Sequence, residues 1–155
     1  MREFADLNAL ASCVGQVLAV SDWLRIEPAR VLAFAEATED RQWIHLDGVR
    51  AARESPYGGA VAHGFLTLSL LPFLLARCVR VHGVSAAINY GIDRLRFPAA
   101  VPVSSNIRAS FQLSAFASLV APAAAGAQVE WTVTVECQDV LKPVCVAVWL
   151  VRYQA

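Results

Sequence analysis

The chain has 155 residues, the length of one ordinary domain. Thirteen basic and thirteen acidic residues cancel, which argues against a nucleic-acid partner and gives no reason to invoke an anionic membrane surface. Apolar residues make up 57% of the chain and charged residues 17%, more apolar surface than a monomer of this size readily hides, so an obligate oligomer is expected.

The start, MREFADLNAL, carries acidic residues where a secretory signal needs a basic stretch and then an apolar core. Residues 3–12 read as a short amphipathic helix, part of an N-terminal helical extension over residues 1–15. Gln16–Ile26 reads as extended and leads to Pro28. A proline just inside a helix start is favourable, because its missing N–H would have had no partner there. Val31, Phe34, Ala35 and Thr38 then recur at three- and four-residue spacing, which predicts a helix over Pro28–Thr38. Asp40 and His45 lie just past its end. Five residues along an ideal helix turn through about 140°, so these two side chains converge only across a turn or from two elements.

Tyr57–Ala76 is twenty residues without Asp, Glu, Lys or Arg. Its first part, YGGAVAHG, holds three glycines and a histidine, and the dense apolar run Phe65–Ala76 has only twelve residues. That is too short for a membrane span and fits a helix buried in a soluble protein. The pattern predicts a nearly all-round apolar helix from His63 to about Arg80, bent at Pro72 and covered on most sides. Thr67 and Ser69 are expected to bond their hydroxyls to preceding carbonyls.

The second half changes period. Ile107, Ala109, Phe111 and Leu113 alternate with polar residues, as do Val129, Trp131, Val133, Val135 and Cys137, so both segments are half-buried strands. Ala86–Phe97 and Val144–Tyr153 also read as extended. Ala121–Ala127, APAAAGA, reads as a loop and Lys142–Pro143 as a turn. The sum is an α+β fold: one domain over residues 1–155, an antiparallel sheet wrapped around a long central apolar helix. Cys13, Cys78, Cys137 and Cys145 form no C-x-x-C pair and share no short metal spacing with the three histidines. They read as reduced core thiols of a cytoplasmic protein, with no metal bound.

DRQWIHLD (Asp40–Asp47), followed by GGAVAHGFLTLSLL (Gly58–Leu71) and INYGIDRLRFPAAVPVSSNIRA (Ile88–Ala109), resembles the MaoC-like (R)-specific 2-enoyl-CoA hydratases. Their motif is Asp, four residues, His, then a small-residue stretch ending in His-Gly at a helix start. The resemblance runs from about Ser21 onward. Gln42–Trp43 stands where many members read Asn-Pro, and Gly48 directly follows Asp47, which alters the turn beside the motif. The likeness implies a hot-dog fold, a homodimer joined edge to edge, and hydration of trans-2-enoyl-CoA to the (3R)-3-hydroxyacyl thioester in fatty-acid metabolism, with no cofactor.

On that resemblance Asp40 activates water, His45 holds it and shares the proton traffic, and the Gly64 amide faces the enolate oxygen. Tyr57 and Phe65 are candidate walls of an acyl tunnel. Arg94 and Arg96, expected on one strand face, are candidate contacts for CoA phosphates or else a solvated edge. His63 is expected to hold the loop or helix start, His82 to sit in a surface turn, and Asp47 to orient His45 or cap the next turn. A hot-dog acyl-CoA thioesterase and a non-catalytic acyl-thioester-binding protein are the alternatives, since one fold serves several functions.

Overall fold

The computed structural model describes residues 1–119 and 125–155. Of the loop expected at Ala121–Ala127, residues 121–124 lie outside the described residues, whereas Gly126 and Ala127 begin a strand.

Four long strands make the body of the sheet: β5 (Ala86–Arg96), β6 (Asn106–Leu119), β7 (Gly126–Cys137) and β8 (Cys145–Gln154). They pair antiparallel, with β6 beside β7, β7 beside β8 and β8 beside β5. The period-two pattern becomes two faces. Ile107, Ala109, Phe111 and Leu113 of β6 point inward with Val129, Trp131, Val133 and Val135 of β7 and Trp149 and Val151 of β8. Trp131 stands directly opposite both Leu113 and Trp149 in the ladder, and Phe111 meets it edge-on at 6.3 Å.

The segment before Pro28, expected as one extended stretch, forms two short strands. β2 (Val17–Val20) and β3 (Leu24–Arg25) both pair with β6. Between them Ser21 donates its backbone N–H to the Ala109 carbonyl, and its hydroxyl accepts from the Ala109 N–H. The strand breaks, yet the edge of β6 stays satisfied.

Residues 3–12 are also divided. β1 (Arg2–Phe4) pairs in parallel with β4 (Val79–Val81), and α1 (Leu7–Ala11) follows, capped by the Asp6 carboxylate on the Ala9 N–H at 2.8 Å. The same pairing shortens the apolar helix, which stops at Ala76 rather than Arg80 because Val79–Val81 is claimed by a strand 77 residues earlier in the chain. His82 lies exposed after that strand and bonds Glu3 at 3.0 Å.

The apolar helix itself consists of α5 (Gly64–Ser69) and α6 (Leu71–Ala76), joined at Leu70. Pro72 sits in the first turn of α6, where its missing N–H is tolerated. Leu66, Leu70, Leu71, Leu74 and Leu75 are buried in the sheet's concave core. Phe65, Ser69 and Phe73, four residues apart, form an exposed stripe, with Phe65 63% and Phe73 43% exposed. That stripe lies towards β5, an edge strand whose Ile88, Tyr90 and Ile92 are also exposed. A cleft lined by Leu68, Ser69, Pro72, Asn89, Gly91 and Ile92 separates the two. No helix among the described residues is long and apolar enough to cross a membrane. Cys78, Cys137 and Cys145 are buried and Cys13 is half-buried, all four as free thiols.

Leu74 is 1% exposed at the centre of the core, while Leu141 is fully exposed. Leu74→Ala is expected to cost about 2–5 kcal/mol in chemical denaturation, whereas Leu141→Ala stays within about 0.5 kcal/mol.

Candidate active site

Asp40 sits between α2 (Pro28–Thr38) and α3 (Trp43–Leu46). α2 starts at Pro28 as its sequence predicts and ends at Glu39, which adopts a left-handed conformation at φ 61°. That residue reverses the chain and directs Asp40 out of the helical path. Arg41 clasps Glu36 and Glu39 across the reversal. These pairs are exposed, so they guide the turn more than they stabilise the fold. Gln42 then precedes α3, and its side-chain amide donates to Asp40 Oδ1 at 3.2 Å. Trp43 packs under the Arg50 guanidinium at 4.3 Å. The pair that departs from the Asn-Pro pattern is therefore used: one residue holds the carboxylate and the other ties α3 to α4 (Gly48–Glu54).

His45 lies in the single turn of α3. Its Nδ1–H donates to the Val61 carbonyl at 2.6 Å, which leaves Nε2 with a free lone pair. Val61 is fixed in turn. Its N–H bonds the Ile44 carbonyl, and residues 60–62 are laced to residues 101–103 by two further backbone bonds. His45 titrates below its ordinary value, chiefly because burial disfavours the imidazolium. The bond to Val61 opposes that shift, His63 adds to it, and Asp40 weakly opposes it.

His63 is 3% exposed and occupies the N-cap of α5. Its side chain does not cap the helix. Nε2–H instead donates to the backbone carbonyl of Asp40 at 2.8 Å. Its ring stacks on His45 with centroids 3.7 Å apart and packs against Phe34 on α2 at 5.1 Å. One ligand atom from each of Asp40, His45 and His63 falls within a common 4.8 Å. That spacing alone would admit a metal ion. The two rings lie only 27° from parallel, however, and stacked rings send their lone pairs side by side rather than toward one point. Two hydrogen bonds of about 2.8 Å through one oxygen span up to about 5 Å, so a water molecule fits the same spacing.

His45 and Gly64 line the same pocket, of about 260 Å³, together with Tyr57, Thr67, Phe97 and Val101. Gly64 opens α5, so its N–H belongs to the first turn, where amides lack helical partners. A Cβ built on Gly64 would sit 2.9–3.0 Å from the Phe97 ring, so the glycine is required by packing as well as by any ligand that approaches its amide.

Tyr57 lines this pocket and is 56% exposed. Phe65 lies outside it, packed edge-on against Phe97 at 5.9 Å. Arg94 and Arg96 do not share a regular strand face. The ladder shifts between Asp93 and Arg96, and Arg94 takes a left-handed φ of 49° within that bulge. Both arginines are exposed; Arg96 donates to its neighbour's carbonyl at 2.7 Å. Asp47 accepts from the Arg50 N–H at 2.9 Å and caps α4 rather than orienting His45. Ser69 bonds the Phe65 carbonyl at 2.7 Å as its helical setting suggests, whereas Thr67 is buried and faces the pocket. Reading the sequence missed Thr67, Phe97 and the Val61 carbonyl. The first had a signal, because Thr67 lies three residues after Gly64 and shares its helical face.

The depressed pKa of His45 has a sign in stability. The unfolded chain, titrating near 6.5, binds this proton before the folded one does, so the contribution is present above that pH and lost as pH falls through the folded-state value. The melting temperature is expected to fall from about pH 7 to pH 5, with a shallower slope in His45→Gln measured by calorimetry. Equal slopes would mean that burial does not disfavour the His45 charge.

The profile of the MaoC like domain matches residues 9–139. The chain is 45% identical over 157 residues to 3-hydroxyacyl-thioester dehydratase Z of Mycobacterium tuberculosis, and the match covers 100% of both chains. Among solved structures, a monoamine oxidase regulatory protein from Archaeoglobus fulgius superposes with a TM-score of 0.75 at 18% identity, covering 99% of this chain and 97% of the other. R-hydratase PhaJ1 from Pseudomonas aeruginosa superposes with a TM-score of 0.70 at 24% identity, covering 91% and 81%. The sheet and its enclosed helix are the hot-dog fold, and by domain match and by kinship along its full length this chain belongs to the MaoC-like dehydratase family.

Proposed function

We propose that the chain catalyses the reversible hydration of a trans-2-enoyl thioester to the (3R)-3-hydroxyacyl thioester. The observation that carries this reading is the convergence of the Asp40 carboxylate and the His45 imidazole within a water's span, beside a pocket lined by the Gly64 helix start. The dehydratase activity in the M. tuberculosis relative's name supports the thioester class, and the R-hydratase in the solved neighbour's title is consistent with the stereochemistry.

In the hydration direction, water donates one hydrogen to Asp40 and the other to the bare Nε2 of His45, which aims its oxygen at C3. As the C3–O bond forms, the C2=C3 π electrons move toward the thioester and Asp40 accepts the water proton. Negative charge gathers on the thioester oxygen, where the Gly64 N–H donates; the positive end of a helix favours charge there. The Asp40–His45 pair then returns that one proton to C2 from the same side, so the oxygen and both hydrogens of a single water end in the product, both groups regain their starting state, and both new bonds form on one face. General acid–base work of this kind contributes about 10²–10⁴ in rate per group. No step calls for a cofactor. Tyr57 is assigned to the wall along the acyl portion and Arg94 and Arg96 to the phosphates of a CoA carrier, whereas Phe65, outside the pocket, is not given a wall position.

The working unit is taken to be a homodimer. The exposed Phe65–Phe73 stripe and the apolar edge of β5 lie on either side of one cleft, and a second copy adding its own edge strand would cover both.

The direct test is incubation with crotonyl-CoA, following loss of the conjugated-thioester absorbance and the chirality of the product. Hydration to the (3R) product is expected, with Asp40→Asn and His45→Gln each losing at least about 10²-fold in turnover while remaining folded. Release of free thiol would identify a thioesterase, and binding without turnover a silent thioester-binding protein.

The role of Gly64 is tested by relieving its packing. Gly64→Ala keeps the N–H but sets a Cβ beside it that crowds the approach of the thioester oxygen, and is expected to lower turnover about 10²-fold, as loss of such a donor would. Gly64→Ala combined with Phe97→Ala removes the steric conflict and is expected to regain stability but not turnover. Full recovery of turnover in the double variant would mean that the glycine serves only Phe97.

A further inference from the structure

We propose that His63 is the positioning residue of the acid–imidazole pair, holding the backbone of Asp40 through its Nε2–H and the plane of the His45 ring through a stack. The inference rests on the hydration reading and deepens it, because it concerns a side chain that neither touches the substrate nor moves a proton.

Three observations carry it. His63 occupies a helix N-cap but does not use its side chain there; among the described residues the side chain's one hydrogen bond goes to a carbonyl 23 residues earlier in the chain. That carbonyl belongs to Asp40, so the bond fixes the peptide from which the carboxylate projects. The ring also packs against two others, tilted on Phe34 at 5.1 Å and stacked on His45 at 3.7 Å. The other ring nitrogen, Nδ1, is buried without a hydrogen-bond partner among the described residues. Burying such a nitrogen is costly, and the bond to Asp40 and the ring contacts are what this side chain has to offset it. A ring retained for packing alone needs no donor. His63 supplies both the donor and the flat face.

The arrangement has a mechanical consequence. Asp40 hangs from a turn made by a left-handed Glu39, and His45 from a helix of a single turn. Each is a short segment held by contacts from elsewhere in the fold. His63 is anchored at the start of the buried apolar helix, where its carbonyl receives the Leu66 and Thr67 N–H groups and the preceding Ala62 N–H bonds Val101. It therefore transmits the position of the core to both reacting side chains.

Two substitutions separate its contacts. His63→Gln keeps an N–H donor able to reach the Asp40 carbonyl and loses the ring. His63→Phe keeps a ring against Phe34 and His45 and loses the donor. With crotonyl-CoA as the probe and the full chain as the enzyme, His63→Phe is expected to lower kcat about 30- to 100-fold with KM within about two-fold, because misplacing a reacting group by about 1 Å costs on that order. His63→Gln, which gives up the stack on His45, is expected to lower kcat about ten-fold, again with KM within about two-fold. Thermal melting of each variant checks that it remains folded. The proposal is overturned if either variant keeps its kcat or if the loss falls on KM.

Nitrogen-detected NMR of the parent protein reads the contact independently of turnover. A slowly exchanging His63 Nε2–H supports the bond, and an Nδ1–H tautomer overturns it even where neither variant folds. A parent chain inert toward every enoyl and 3-hydroxyacyl thioester would sink the hydration reading while the NMR result still decides whether His63 holds Asp40.

Discussion

The structure depends on one constraint: a helix that is apolar on nearly every face has to be covered. Leu66, Leu70, Leu71, Leu74 and Leu75 lose their contact with water only because the sheet curves around them. Once enclosed, the helix has little freedom to slide or rotate, because interiors are packed as densely as organic crystals. Its first residue is thereby held in place as well. Gly64 lies against the Phe97 ring, and His63 reaches across to the turn that bears Asp40. The most hydrophobic part of the chain thus becomes the fixed reference for its most polar cluster.

That cluster is organised by the main chain more than by charge pairs. Two carbonyls, those of Val61 and Asp40, each accept from one imidazole and so decide which nitrogen of each ring carries the proton. Burial then disfavours the charged form of His45. Such a site requires little from the surface, where ion pairs like Arg41–Glu36 contribute modestly. It requires instead that residues 60–63 be tied to residues 101–103, which is what the backbone bonds between these segments provide.

The open stripe at Phe65, Ser69 and Phe73 shows where enclosure by a single copy is incomplete. The chain is 57% apolar, and large apolar side chains remain exposed in many places, Val49 and Leu141 among them. Phe65, Phe73, Ile88, Tyr90 and Ile92 differ in lying along the helix and along β5, on either side of one cleft. Scattered apolar residues are ordinary on any surface, whereas a contiguous patch points to an interface.

Much of this was legible before any coordinates. Period-two alternation identified β6 and β7, because one buried and one wet face leave no other pattern. Pro28 marked the start of α2, and the twelve dense apolar residues after Gly64 marked the buried helix. The spacing of Asp40, His45 and His63–Gly64 named the residues that meet in space. Other features had no local signature. The parallel pairing of Arg2–Phe4 with Val79–Val81, which trims two predicted helices, joins segments far apart in the chain. The bulge at Arg94, the left-handed turn at Glu39 and the approach of Phe97 to Gly64 likewise arise from the register of whole strands and helices. Sequence by itself determined which residues are apolar, which are polar and at what period, and therefore the elements and the members of the polar cluster. Only the tertiary structure decided which way those members point, because orientation is set by hydrogen bonds and packing between segments that no local pattern connects.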